Sequence, residues 1–182
     1  GPAGSGKTLI ALWRLQAAIE AGLKAMYVCY NVSLAEYLRS KNPDVAGYIH
    51  SVDALFKSIA DIPVRGPMQE FFRNVLPNAV TDITDKMAEE EKFDLIIVDE
   101  GQDLSDSHHI ALTFLLKEFG GNRLVFYDKN QDLYIQTGES ALMPEVTFRL
   151  FHNCRNPSAV NQTTNEVCNT EVLSLAGIPA GV

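Results

Sequence analysis

Residues 1–8 read GPAGSGKT, and this octet restricts what the chain can fold into more than any other stretch. It satisfies the spacing G-x-x-x-x-G-K-[ST] at every fixed position, through Gly1, Gly6, Lys7 and Thr8. Glycines let the backbone curl so that successive N–H groups face an anion; a lysine at this place reaches the β and γ phosphates of a nucleotide, and the next hydroxyl can bind Mg²⁺. A helix beginning at Thr8 aims the positive end of its dipole at the same anion. Gly1, Pro2, Ala3, Gly4, Ser5, Gly6, Lys7 and Thr8 are therefore the candidate phosphate cradle, with Thr8 also a candidate Mg²⁺ ligand. The bland alternative, a glycine-rich turn with an exposed lysine, loses weight once the rest of the chain is considered. Because the chain opens on the motif itself, we expect sequence upstream to have been removed, including the strand that leads into such a loop.

Strand-like and helix-like stretches then alternate. Leu9, Ile10, Leu12, Trp13, Leu15 and Ile19 recur near helical spacing over residues 8–21, and Gly22 is placed as a stop. Residues 25–30 (AMYVCY) form an unbroken apolar run, the pattern of a strand buried on both faces of a parallel sheet. Ser33 with Glu36 predicts a capping box opening a second helix through about Arg39. Residues 48–50 give a short strand, and Ser51 is placed to cap a helix over 52–60. Pro63, Pro67 and Pro77 predict a short helical insertion of broken helices and loops over 61–92, ending in the acidic Glu89–Glu91. Residues 94–98 (DLIIV) form a second buried strand, 107–119 a helix closed by Gly120 and Gly121, and 123–127 (RLVFY) a third strand. A further strand is expected over 147–150, and Asn156 followed by Pro157 opens a last helix to about Asn169. No repeat or linker divides the chain. This alternation predicts one α/β domain over residues 1–182, a three-layer α/β/α arrangement around a mainly parallel sheet.

The strand over 94–98 delivers Asp99 and Glu100 at its carboxyl end, where ligands sit in open α/β sheets. A phosphate loop needs such a partner. One carboxylate, Asp99, can hold the water shell of Mg²⁺, and the next, Glu100, can polarise an attacking water. Two adjacent acids can also be a solvated turn, but beside the octet that reading is the weaker one.

These strings also resemble a family. DEGQD (99–103) resembles the DExQD motif of UvrD/Rep-like superfamily 1 helicases, whose first domain is a RecA-like P-loop NTPase. YDKNQDLY (127–134) looks like the family's third motif, of the form GDxxQxxY, and NCRN (153–156) like its fourth, usually NYR. The resemblance implies that Gln102 and Asp128 lie at the nucleotide, that Gln131 senses the γ-phosphate, that Tyr134 stacks on single-stranded DNA, and that Arg155 stabilises charge on the transferred phosphoryl group. VCYNVSLAEYLR (28–39) and IHS (49–51) resemble the motifs that meet the nucleic-acid backbone, implicating Tyr30, Asn31 and His50. It implies ATP and Mg²⁺, single-stranded DNA as partner and a second RecA-like domain absent from this sequence. Cys154 stands where the family usually has a tyrosine, and IQTGE follows Tyr134 where DNA helicases commonly carry Trp and Arg.

Charge and composition narrow the class. The net charge of −8 and pI of about 4.9 exclude the global basicity of an autonomous nucleic-acid binder, so any such contact is local. Cys29, Cys154 and Cys168 are few, scattered and in no metal-ligand spacing, which reads as reduced and intracellular. No apolar run approaches the roughly 18 residues of a membrane span, and no leader opens the chain. We expect a cytoplasmic, monomeric ATPase domain that contacts no membrane. His108 and His109 are expected on a solvated helix face, since helix neighbours point apart. Two functions remain: a motor coupling ATP hydrolysis to movement on single-stranded nucleic acid, and a P-loop switch that controls a partner protein without translocation. A small-molecule kinase is disfavoured by the lack of an Arg-rich lid segment.

Overall fold

A computed structural model describes residues 4–128 together with Phe148, Leu150, His152–Asn153 and Leu173–Ser174. Its larger sheet has four strands, β1 (Ala25–Cys29), β2 (Ile49–Ser51), β3 (Leu95–Asp99) and β4 (Asn122–Val125), all parallel in the order β2-β1-β3-β4. The helices are α1 (Lys7–Glu20), α2 (Val32–Lys41), α3 (Val52–Ile59), α4 (Met68–Glu70), α5 (Leu76–Thr84) and α6 (Asp106–Phe114). A two-residue parallel pair, β5 (His152–Asn153) with β6 (Leu173–Ser174), forms a second sheet.

Strand periodicity sorts the core into two apolar clusters. The even positions Met26, Val28, Ile96 and Val98 pack with Val52, Leu55 and Phe56 of α3, Leu76 and Val80 of α5, and Ala111 and Leu112 of α6. The odd positions Ala25, Tyr27, Cys29, Leu95 and Ile97 pack with Ala11, Leu15 and Ala18 of α1 and with Ala35 and Leu38 of α2. Helices thus cover both faces, and the expected α/β class with a parallel sheet is found. The unbroken apolar runs in β1 and β3 follow, because neither strand has a solvent face. Strand order reverses between β1 and β3: the chain steps outward from β1 to β2, then crosses back to β3 and on to β4. The carboxyl ends of β1 and β3 therefore flank a topological switch point. Among the described residues β4 pairs with β3 alone, and Arg123, Leu124 and Val125 are half-buried.

Several local expectations are corrected. The cap of α2 is Asn31, whose Oδ1 accepts from Leu34 N at 3.1 Å, and Ser33 lies inside the helix. Ser51 precedes α3 but makes no side-chain cap bond. Pro77 does not break the chain: α4, one wide π-helical turn (Phe71–Val75) and α5 run on continuously. The Arg73 carbonyl, which Pro77 has no N–H to serve, accepts from the Ser105 hydroxyl at 2.9 Å, and the wider turn eases the clash that a proline ring makes in a regular helix. Helix α6 stops at Phe114 because the next residues pair with the chain before β3, Phe93 N donating to Leu115 O and Lys117 N to Phe93 O. His108 and His109 are buried. His108 stacks on Phe56 with centroids 5.7 Å apart and its Nδ1 accepts from Ser105 N, while His109 Nε2 lies 3.0 Å from Gly101 O. Each finds a polar partner on a different neighbour, so adjacent positions pointing apart are both interior. The expected strand over 147–150 is not formed at Phe148 or Leu150, and the expected helix over 156–169 lies outside the described residues.

Leu15 is wholly buried between α1 and the sheet. Leu15→Ala is expected to lower unfolding free energy by about 2–5 kcal/mol, read from the midpoint of urea denaturation.

Candidate functional site

The loop entering α1 turns on two glycines in left-handed backbone, Gly4 at φ 78° and Gly6 at φ 83°. Residues with a Cβ are strained there, so the curl that the octet requires is carried by the residue type best able to adopt it. Gly6 is the cap of α1, and its carbonyl accepts from Ile10 N. Lys7 is buried and pairs with buried Asp128 at 3.7 Å. Ser5 is buried too, and its Oγ has no hydrogen-bond partner among the described residues.

Asp99 ends β3 on the odd face, toward α1, and is fully buried. Its Oδ2 accepts two hydrogen bonds, from Thr8 Oγ1 at 2.6 Å and from Tyr27 Oη at 2.7 Å, while Oδ1 accepts from Glu100 N at 3.1 Å. The Thr8 contact joins positions 91 residues apart. Burial, and then the adjacent Asp99 carboxylate, push the Tyr27 phenol well above its ordinary range, so it stays a proton donor. The same two causes push Cys29, on the same face, up to about 12.

Glu100 is the one non-glycine residue at positive φ among those described, at φ 49° and ψ 48°. Such a conformation costs of order 1–3 kcal/mol and persists where its surroundings over-determine it. They do so through Gly101, whose N–H donates to Phe126 O at 2.8 Å and whose carbonyl lies 3.0 Å from His109 Nε2. A Cβ at position 101 would sit 2.5 Å from Val125 Cγ1, so any larger residue forces the Val125 side chain to shift. Gln102 bridges outward: its Nε2 donates to Glu100 Oε2 at 2.8 Å, and its Oε1 accepts from Asp128 N at 3.1 Å. A relay of contacts thus runs from Glu100 through Gln102 to Asp128 and on to Lys7.

The structure therefore brings Lys7, Thr8, Asp99, Glu100, Gln102 and Asp128 into one constellation, with Gly4, Ser5 and Gly6 shaping the loop. Gly1, Pro2, Ala3, Gln131, Tyr134 and Arg155 lie outside the described residues, as do Cys154 and Cys168. Tyr30 is exposed just beyond β1, and the Asn31 side chain is engaged as the cap of α2. His50 is half-buried in β2, with its pKa pushed down by burial and by Arg39. Tyr27 is not singled out by the sequence, although a tyrosine inside an otherwise apolar buried run is a signal, because a buried hydroxyl must find a partner, and His109, expected on a solvated face, is buried against the Gly101 turn.

The donor set suits Mg²⁺, which prefers hard oxygen ligands and completes its shell with water and substrate phosphates. Thr8 and Asp99 offer such oxygens together, and the unpartnered Ser5 Oγ lies in the adjoining loop. Among the described residues no group of three or more His, Cys, Asp or Glu side chains could hold a metal by itself. Among the same residues, no helix is long and apolar enough to cross a membrane. Comparison with family models, with curated proteins and with solved structures returns no match.

Two outcomes test the turn. Gly101→Ala is expected to destabilise the fold by about 1–3 kcal/mol through overpacking against Val125, seen as a lowered thermal midpoint. His109 has its pKa pushed down to about 4, chiefly by burial, against an ordinary 6.5. The unfolded chain then takes up a proton below pH 6.5 that the native chain refuses until pH 4, so stability falls as pH drops across that window, by about 3 kcal/mol in full. Urea unfolding between pH 7 and pH 4 should show that slope, and His109→Gln should flatten it.

Proposed function

We propose that this chain is the first RecA-like ATP-binding domain of a UvrD/Rep-like superfamily 1 motor, which binds and hydrolyses ATP with Mg²⁺ and couples that to movement on single-stranded DNA. The observation that carries the reading is the 2.6 Å contact between Thr8 and Asp99, which joins the phosphate-loop hydroxyl to the strand-end carboxylate at a topological switch point. The four-stranded parallel sheet with helices on both faces is compatible with a RecA-like layout.

In this reading the left-handed glycines and the start of α1 receive the phosphates, and Lys7 exchanges its buried partner Asp128 for the β and γ phosphate oxygens. Mg²⁺, when bound, neutralises charge on the phosphates, with Thr8 and Asp99 as its protein ligands. Glu100, fixed by its strained backbone and by Gln102, acts as the general base that orients the attacking water. From the resemblance, Gln131 reads the γ-phosphate, Arg155 stabilises the transferring group and Tyr134 stacks on DNA, with Tyr30, Asn31 and His50 meeting the strand. A second RecA-like domain would supply a further arginine, and such a residue can raise the rate by orders of magnitude.

Steady-state ATP hydrolysis, measured on the protein in its full natural length with and without single-stranded DNA, tests this. Glu100→Gln is expected to reduce turnover at least about 100-fold while leaving nucleotide binding intact. Strong stimulation by single-stranded DNA, lost in that variant, supports the motor. Hydrolysis indifferent to both DNA and RNA transfers the assignment to a nucleotide-controlled switch acting on a partner protein, and unimpaired turnover in Glu100→Gln removes the catalytic assignment altogether.

A further inference from the structure

We infer that Tyr27 is a positioning residue for the divalent cation, its hydroxyl holding the Asp99 carboxylate in the orientation from which that carboxylate serves the cation. The inference rests on the reading above that Thr8 and Asp99 hold Mg²⁺ beside a nucleotide, and it adds a residue from outside both motifs.

The geometry comes from the sheet. In the β1–β3 register Tyr27 lies opposite Ile97 and Cys29 opposite Asp99, so Tyr27 sits two residues back from the carboxylate on the adjacent strand and on the same face. A phenol is long enough to span that offset, and it does, at 2.7 Å. The ring is wholly buried in the apolar cluster that includes Ala11, Leu15 and Ile97. Phenylalanine would supply that packing without bringing a polar atom into the core. The hydroxyl is therefore an addition whose hydrogen-bond partner is Asp99.

Asp99 needs such a partner. It is fully buried, and its Oδ2 would otherwise be held by Thr8 alone. The Thr8 hydroxyl has a second duty toward the cation, whereas Tyr27 has none. Two donors reaching one oxygen from different elements, α1 and β1, set the plane of the carboxylate, and the Glu100 N–H on Oδ1 completes the clamp. Groups that orient a metal-binding carboxylate in this way control cation affinity while leaving the remaining contacts of the ligand untouched.

The experiment is a MgCl₂ titration of the full chain in the presence of the ATP analogue AMP-PNP, beside AMP-PNP binding in EDTA, both followed by calorimetry. Tyr27→Phe is expected to raise the Mg²⁺ concentration at half-saturation roughly tenfold. AMP-PNP affinity in EDTA should remain that of the wild type, a split that general loss of structure would not produce. Cys29→Ala, on the same buried face and bonded to backbone carbonyls instead of Asp99, serves as the packing control and should titrate like wild type. An unchanged Mg²⁺ titration in Tyr27→Phe, or an equal shift in Cys29→Ala, overturns the inference while leaving the nucleotide reading in place. A wild-type chain whose AMP-PNP binding ignores Mg²⁺ overturns both.

Discussion

The pairing of β1 with β3 is the constraint on which the rest depends. Five residues of each strand lie in register, from Ala25 opposite Leu95 to Cys29 opposite Asp99. Side chains alternate faces along a strand, so a slip by one residue would send Asp99 to the side covered by α3, α5 and α6, away from Thr8. It would also place odd-numbered apolar side chains where even-numbered ones pack. Core and site are therefore specified together: the apolar burial that fixes the register is also what delivers a charged group to the start of α1. A buried carboxylate is costly unless hydrogen-bonded, and here three donors, from α1, β1 and the turn after β3, converge on it.

The turn after β3 shows how a strand-end carboxylate is held without being packed. Glu100 carries the unfavourable backbone and Gly101 carries the restraint, gripped at its N–H by the chain after β4 and at its carbonyl by α6. Through Gln102 the same turn touches the backbone of Asp128, so the segment after β4 and the segment after β3 share one set of hydrogen bonds. A shift in either is transmitted to the other by two contacts of ordinary length.

What the sequence made legible, and what it did not, follows from where each signal is stored. The strands around 25–30 and 94–98 are readable because burial on both faces leaves an unbroken apolar run, and the turn entering α1 is readable because its glycines answer a local backbone demand. Asp99 and Glu100 stand out as charges ending such a run. Other features are stored in tertiary contacts. Tyr27 reads as one more core residue until the register reveals its partner. His108 and His109 look solvated when α6 is treated as a lone surface helix, yet α6 packs against α5 on one side and the Gly101 turn on another. Asn31 and Ser33 are both competent caps, and only the path of the chain out of β1 selects the first. The end of α6 is decided by Phe93, more than twenty positions away in sequence, which no local rule could supply.

The cap of α2 carries a consequence for recognition. Asn31 Oδ1 is already committed to the Leu34 amide, and Arg39 at the far end of the same helix donates to Ile49 O of β2. A polynucleotide that drew Asn31 away would leave that amide unsatisfied and fray the first turn, at a cost of about 1 kcal/mol. In the proposed function, where Asn31 meets a strand, grip there and order in α2 are linked with opposite sign, and the Arg39 tether confines the loosening to the first turn of the helix.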